Sequence, residues 1–200
     1  RTAMKHKGWT ETSDDCADVV ILVTCSIREK AEQKVASEIG RYDVRYRKNS
    51  SPAVVLVGCM AQRIGCDMAK KFSCVRLVSG PRHLGLVPQG IEDILSDGVQ
   101  RFFMDDDPRA LTDLKVVPTE RLNPFKAYVT ITYGCDRFCS YCIVPHVRGR
   151  LKSRAHEEIL NEVKTLVANG VSEITLLGQN VDAYGKDKND GYRFSSLLKD

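Results

Sequence analysis

The sequence predicts an α/β protein. A doubly wound parallel sheet occupies residues 1–100, and a second parallel-stranded unit opens at about residue 125. Three observations predict it. Short apolar, β-branched runs punctuate the first hundred residues, each too short for a core helix and typical of strands buried on both faces. Amphipathic stretches of helical period separate them. Strand–helix alternation of this kind folds into a parallel sheet through crossover connections.

Taken in order, Ala17–Thr24 (ADVVILVT) is the first strand. In the helix that follows, Ser26 and Glu29 form a capping-box pattern, and Ile27, Ala31, Val35 and Ile39 share a face. Ala53–Gly58 is a second strand, and Ile64, Met68 and Phe72 mark a second amphipathic helix. Val75–Gly80 is a third strand, and LVPQGIEDILSDG contains a further helix. Residues 101–124, with Asp105–Asp107 and several prolines, show no period and read as a linker. The second unit, 125–200, begins with the strand Ala127–Gly134. Its helix carries Ile159, Leu160, Val163, Leu166 and Val167 on one face and stops at Asn169–Gly170. The strand Glu173–Gly178 completes one βαβ unit, and another helix starts at Ser195. One such unit is too little for a domain, so the second unit is expected to be incomplete. No internal repeat or low-complexity segment is visible.

The chain has 200 residues, 42% apolar and 28% charged, which fits a globular protein of one large or two modest domains and excludes disorder. A net charge of +4 is too small to imply nucleic acid. Its distribution says more, because Arg148, Arg150, Lys152 and Arg154 crowd together. Such a run suits a phosphate backbone, a bound cofactor or plain solvation. No apolar run is long enough to span a membrane. The chain opens at Arg1 without a signal-peptide pattern and is expected to be a piece of a longer protein. Eight cysteines without a secretory context point to a reducing compartment, so the cytoplasm is expected.

Cys135, Cys139 and Cys142 form CxxxCxxC directly after a strand. Structural zinc needs four closed ligands, and only His146 is at hand as a fourth. A disulfide leaves one thiol over. An iron–sulfur cubane held by three thiolates keeps one iron open for a small molecule. The motif and its position closely resemble those of the radical S-adenosylmethionine (SAM) enzymes. That resemblance implies a 4Fe–4S cluster whose open iron takes the amino and carboxylate groups of SAM, followed by one-electron cleavage to a 5′-deoxyadenosyl radical. It also implies that Tyr141 lies against the adenine, and that Gln179 and Asn180, at the next strand end, serve the methionine end. Packing for Tyr141 and a plain polar turn for the other two are the alternatives. The cofactor carries this chemistry, consistent with no evident Ser–His–Asp triad or carboxylate pair. His6, His83, His146 and His156 are scattered and read as structural.

Two more cysteines, Cys25 and Cys59, each follow a strand. Ends of adjacent parallel strands gather ligands. Cys25 also precedes a helix start, which favours a thiolate. Cys16, Cys66 and Cys74 read as ordinary small apolar residues.

Four separated motifs, TCSIREKAEQKV, GCMAQR, YGCDRFCSYCIVPHVRGRLKSR and TLLGQNVDAYG, resemble the methylthiotransferases in the right order along nearly the whole chain. The resemblance implies an N-terminal α/β domain with an auxiliary 4Fe–4S cluster, a radical SAM (β/α) barrel and a C-terminal RNA-binding β-barrel. It assigns Cys25 and Cys59 to the auxiliary cluster and Cys135, Cys139 and Cys142 to the SAM cluster. The implied reaction adds a methylthio group to carbon 2 of an isopentenylated adenosine at tRNA position 37, beside the anticodon. One SAM methylates a sulfur at the auxiliary cluster, and a second supplies the radical. The implied partners are that tRNA and an electron donor such as flavodoxin or ferredoxin; the protein is expected to act as a monomer, off the membrane. The chain departs from the family in several places. Val23 stands where Asn is usual and Ala155 where Pro is usual. The family's first auxiliary cysteine, the rest of the barrel and the RNA-binding domain are not in this sequence. A threonylcarbamoylated adenosine or a ribosomal-protein aspartate is the rival substrate, though CSIREKA and LLGQNV favour the isopentenyl branch. A non-catalytic zinc or nucleic-acid-binding module is the rival class.

Overall fold

The computed structural model describes residues 2–13, 16–26, 29–104 and 123–200, which form two compact units divided between residues 104 and 123. The first holds α1 (Thr2–His6), β1 (Val19–Thr24), α2 (Glu29–Asn49), β2 (Ala53–Gly58), α3 (Cys59–Lys71), β3 (Val75–Ser79), α4 (Val87–Asp97) and β4 (Arg101–Phe103). Its four strands are all parallel, in the order β1-β2-β3-β4.

Helices cover both faces. On one, Ile39 and Tyr42 of α2 and Ala61 and Ala69 of α3 pack on Val54, Leu56, Val75 and Val78. On the other, Val87, Ile91 and Ile94 of α4 pack on Ala53, Val55, Val57 and Leu77, with Met4 and Trp9 against them. The central strand β2 is therefore buried on both sides, which is why its sequence is uniformly apolar rather than alternating. At the sheet edge, β1 is only partly covered, and Val23 is 82% exposed.

The helix α2 runs well past Gly40, because Tyr42 and Tyr46 continue the face that Val35 and Ile39 begin. Ile27 and the side chain of Glu29, and with them the capping box, lie outside the described residues. The linker expected over 101–124 starts too early. Arg101–Phe103 is a strand paired in register with Leu77–Ser79. Three residues show no period of their own. Their strand character comes from the neighbour they pair with and from Phe103, which packs against the α4 side of the sheet. Residues 105–122 of that linker lie outside the described residues.

The second unit holds β5 (Lys126–Thr130), β6 (Thr132–Tyr133), α5 (Val144–Arg148), β7 (Lys152–Ser153), α6 (His156–Ala168), β8 (Glu173–Leu177) and α7 (Phe194–Leu197). The strands β5 and β8 pair in parallel from Lys126↔Glu173 to Thr130↔Leu177, as a βαβ unit requires. The single strand expected over 127–134 is instead two. Ile131 donates its N–H to Leu177 (2.8 Å) and accepts from the Arg154 N–H (3.0 Å), so the chain changes partners there. Beyond it, β6 pairs antiparallel with β7. Val129, Ile131, Ile159, Tyr184 and Leu197 form the core. Among the described residues no helix is long and apolar enough to cross a membrane.

Candidate metal and cofactor centre

In the second unit the strand β6 delivers the chain to Gly134 and then to Cys135. Gly134 has φ +67, and a Cβ there would collide with the carbonyl oxygen of Arg150 and lie 2.5 Å from that of Gly149. Only glycine lets the two ends of the loop close this tightly. The closure is held by the Cys135 N–H donating to Gly149 (3.1 Å) and the Leu151 N–H donating to the Asp136 carboxylate (3.0 Å). Arg150 pairs with the same carboxylate at 2.9 Å.

Inside the loop, Cys135 is buried, Cys142 is partly buried and Cys139 is exposed. The Cys135 Sγ accepts the Arg137 N–H at 3.4 Å, and the Cys142 N–H closes a turn onto the Cys139 carbonyl at 3.0 Å. None of the eight cysteines is in a disulfide. Among the described residues no three Cys, His, Asp or Glu side chains are gathered as a ready metal site. The three thiols thus share one loop without converging on a point. His146, the only zinc alternative, turns its ring edge-on to Phe138 at 6.1 Å.

Gln179 follows β8, and its Oε1 accepts the Gly134 N–H at 2.7 Å. Its first task is thus to staple the foot of the cysteine loop to the neighbouring strand end. Asn180 opens a short 3-10 turn, its carbonyl accepting the Ala183 N–H at 3.1 Å. Tyr141 is 90% exposed among the described residues, which gives no support to the packing alternative.

In the first unit the register pairs Thr24 with Gly58, so Cys25 and Cys59 leave adjacent strand ends. Thr24 ties them together: its hydroxyl donates to the Val57 carbonyl (2.8 Å) and accepts the Ala61 N–H (3.2 Å) in the first turn of α3. Gly58, at φ +109, presses against the Thr24 carbonyl, where a Cβ would not fit. Cys59 is the first residue of α3, where free amides and the helix dipole attract negative charge; residues 27 and 28, between Cys25 and α2, lie outside the described residues, and with them the helix start expected after Cys25. Cys25 is exposed and Cys59 buried. The adjacent Ser26 hydroxyl is buried without a partner among the described residues.

Comparison with known proteins bears on both sites. Residues 1–80 match the family described as Uncharacterized protein family UPF0004, and residues 129–197 match the Radical SAM superfamily. The chain is 41% identical, over 98% of its length, to the tRNA-2-methylthio-N(6)-dimethylallyladenosine synthase of Clostridium novyi (strain NT), covering 44% of that protein. It is 42% identical over 99% of its length to the protein of the same name from Oleidesulfovibrio alaskensis (strain ATCC BAA-1058 / DSM 17464 / G20), and 41% over 99% to that from Aquifex aeolicus (strain VF5), covering 43% and 45% of them. Along nearly its whole length the chain is similar to radical SAM methylthiotransferases. It spans less than half the length of these relatives.

Sequence similarity and donor chemistry agree. Three thiols on one loop, with none tied up in a disulfide, suit the iron–sulfur cluster and SAM that the radical SAM match implies. The orphaned Ser26 hydroxyl beside Cys25 suits a polar group arriving at the strand ends of the first unit. The basic run is less available than its sequence suggests. Arg154 has a side chain only 10% exposed; it donates to the Thr130 carbonyl (2.7 Å) and pairs with Glu162 (2.8 Å). It is a strut between β5 and α6 and is removed from the candidate phosphate contacts. Arg150 remains exposed but is oriented by Asp136. Asp136 and Thr24 carry much of this architecture, and no spacing rule singles them out.

Proposed function

We propose that this chain carries the cofactor-binding part of a tRNA methylthiotransferase that modifies carbon 2 of an isopentenylated adenosine at position 37, next to the anticodon. The observation that carries the reading is the Cys135–Cys142 loop, closed at its foot by Gly134 and Gln179, in a chain about 40% identical to synthases of that name. Cys135, Cys139 and Cys142 hold a 4Fe–4S cluster that binds SAM, and Cys25 and Cys59 supply two ligands to an auxiliary 4Fe–4S cluster. When bound, these groups supply the radical and sulfur chemistry.

The chain's own residues position and shield. Gln179 fixes the loop to the strand end through its amide oxygen, and with Asn180 it would serve the methionine end of SAM. Tyr141, exposed, is available to the adenine. The Cys135 Sγ receives a backbone N–H, which supports negative charge on a ligating sulfur. The tRNA is the macromolecular partner, a flavodoxin or ferredoxin the electron donor, and the protein acts as a cytoplasmic monomer.

Anaerobic reconstitution of the protein produced from its complete reading frame tests the cofactor assignment. A brown product absorbing near 400 nm is expected, and a colourless, zinc-replete protein would overturn it. Mass spectrometry of tRNA nucleosides from cells lacking the gene tests the substrate. Loss of 2-methylthio-isopentenyladenosine is expected; its persistence, with loss of a methylthiolated threonylcarbamoyladenosine instead, would move the enzyme to the rival branch.

A further inference from the structure

Phe138 sits between Arg137 and Cys139, on the cysteine loop and outside the unit's core. A phenylalanine on a loop has no hydrogen bond to make and would ordinarily be driven inward. This one is 57% exposed. It is nonetheless held in place. The Arg150 guanidinium lies 5.6 Å from the ring centre over one face, and His146 meets it edge-on at 6.1 Å and 77°. Arg150 is itself fixed by Asp136 at 2.9 Å. The ring is therefore braced on one face and along an edge, with much of its surface left to solvent.

We propose that Phe138 is a stacking platform for an unpaired RNA base beside the adenosine being modified. This rests on the tRNA reading above. A fixed aromatic face flanked by arginines is the combination that binds single-stranded nucleic acid, since every base offers a π-face and the cations meet the phosphates. Arg137, exposed next to it, adds positive charge on the same loop. A guanidinium behind the ring also strengthens the platform through its attraction for the π-system. Pre-organisation matters here, because a ring already braced loses little freedom when a base lands on it. An apolar protein partner would not need the arginines. The SAM adenine has a nearer candidate in Tyr141, exposed on the same loop.

The experiment uses the reconstituted protein from its complete reading frame and an anticodon stem-loop RNA bearing isopentenyladenosine, with 2-aminopurine placed in turn at each flanking loop position. Binding is expected to quench 2-aminopurine at one of those positions. Phe138→Leu, which keeps an apolar side chain under Arg150, should weaken RNA binding about 5- to 150-fold, the range that loss of one base stack implies. It should abolish the quench and leave iron content and SAM affinity at wild-type values. Phe138→Trp should restore both RNA readouts. Wild-type RNA affinity in Phe138→Leu, or a loss of SAM affinity with RNA binding unchanged, overturns the proposal and leaves the tRNA reading standing. If the wild-type protein, fully loaded with iron, fails to bind the hairpin at all, the tRNA reading falls and the platform with it. Absence of quenching at every position in a wild-type complex that does form overturns the platform alone, whatever the variants do.

Discussion

Replacing Gly134 by alanine strikes the footing of the cysteine loop without touching any thiol. At φ +67 an alanine pays about 1 kcal/mol or somewhat more for the left-handed backbone. Its Cβ would lie 2.5 Å from the Gly149 carbonyl oxygen and closer still to that of Arg150. These are backbone atoms, so one strand of the closure must retreat by about 1 Å to reach ordinary contact. That retreat falls on two hydrogen bonds, from the Cys135 N–H to Gly149 (3.1 Å) and from the Gly134 N–H to Gln179 (2.7 Å). At about 1 kcal/mol net for each bond, the native loop loses roughly 3 kcal/mol, a bias of about a hundredfold. Hydrogen exchange followed by mass spectrometry on cluster-free protein reads this directly. Amides of 134–151 should exchange about a hundredfold faster in the variant, while those of β2, in the other unit, stay unchanged. Iron recovered on reconstitution should fall in parallel. Exchange over 134–151 within about threefold of wild type would refute the reasoning, since the loop would then not depend on this close approach.

Three further outcomes follow from the first unit. Thr24→Val keeps the shape but removes the hydroxyl that bridges the Val57 carbonyl and the Ala61 N–H; it should lower stability by about 1–3 kcal/mol in denaturant titration, with Thr24→Ser largely restoring it. Asp43, on α2, reaches the start of β3: burial pushes its pKa up, but the Cys74 N–H, Ser73 and Arg47 outweigh this and hold it below the usual carboxylate value. A group lowered in the folded state stabilises above its unfolded pKa and loses that contribution as the pH falls through its folded value. The stability gap between wild type and Asp43→Asn should therefore be full at neutral pH and shrink only below about pH 4; a gap that shrinks near neutrality would contradict the assignment. Finally, burial, then the neighbouring Asp43, pushes the Cys74 thiol up to about 12, so iodoacetamide at pH 8 should label exposed Cys66 and spare Cys74 until the protein unfolds.

The parts of this fold that the sequence discloses are those whose environment is uniform. The strand Ala53–Gly58 is buried on two faces from Ala53 to Val57, and its composition says so. The parts it conceals depend on distant partners. Ile131 looks like the middle of one strand, yet it is where the chain exchanges Leu177 for Arg154, 46 and 23 residues away in sequence. Arg101–Phe103 is a strand only because Leu77–Ser79 lies beside it. The candidate ligands show the same division. Cysteine spacing marks Cys135, Cys139 and Cys142 as a set, and strand-end placement together with family resemblance adds Cys25 and Cys59. Neither discloses that Gln179 staples the loop or that Arg154 is a buried strut, because both facts rest on side chains meeting carbonyls and amides across the unit.

The two cysteine sites, in separate units, share one local device. Each has a Gly–Cys dipeptide at the end of a strand, Gly58–Cys59 and Gly134–Cys135, and in each the glycine has positive φ and presses on a backbone carbonyl. A strand that simply continued would send the cysteine along the sheet. The positive φ turns the chain sharply at the strand's end, and the close approach fixes that turn against neighbouring backbone. At Gly58 the neighbour is Thr24, the residue before Cys25, so the contact joins the two strand ends from which Cys59 and Cys25 leave. At Gly134 the neighbours are Gly149 and Arg150, so the contact closes the loop on which all three thiols lie. A side chain at either glycine would leave every cysteine in the sequence and loosen the backbone that carries them. These glycines therefore shape the backbone of each candidate site even though neither has an atom that could ligate anything.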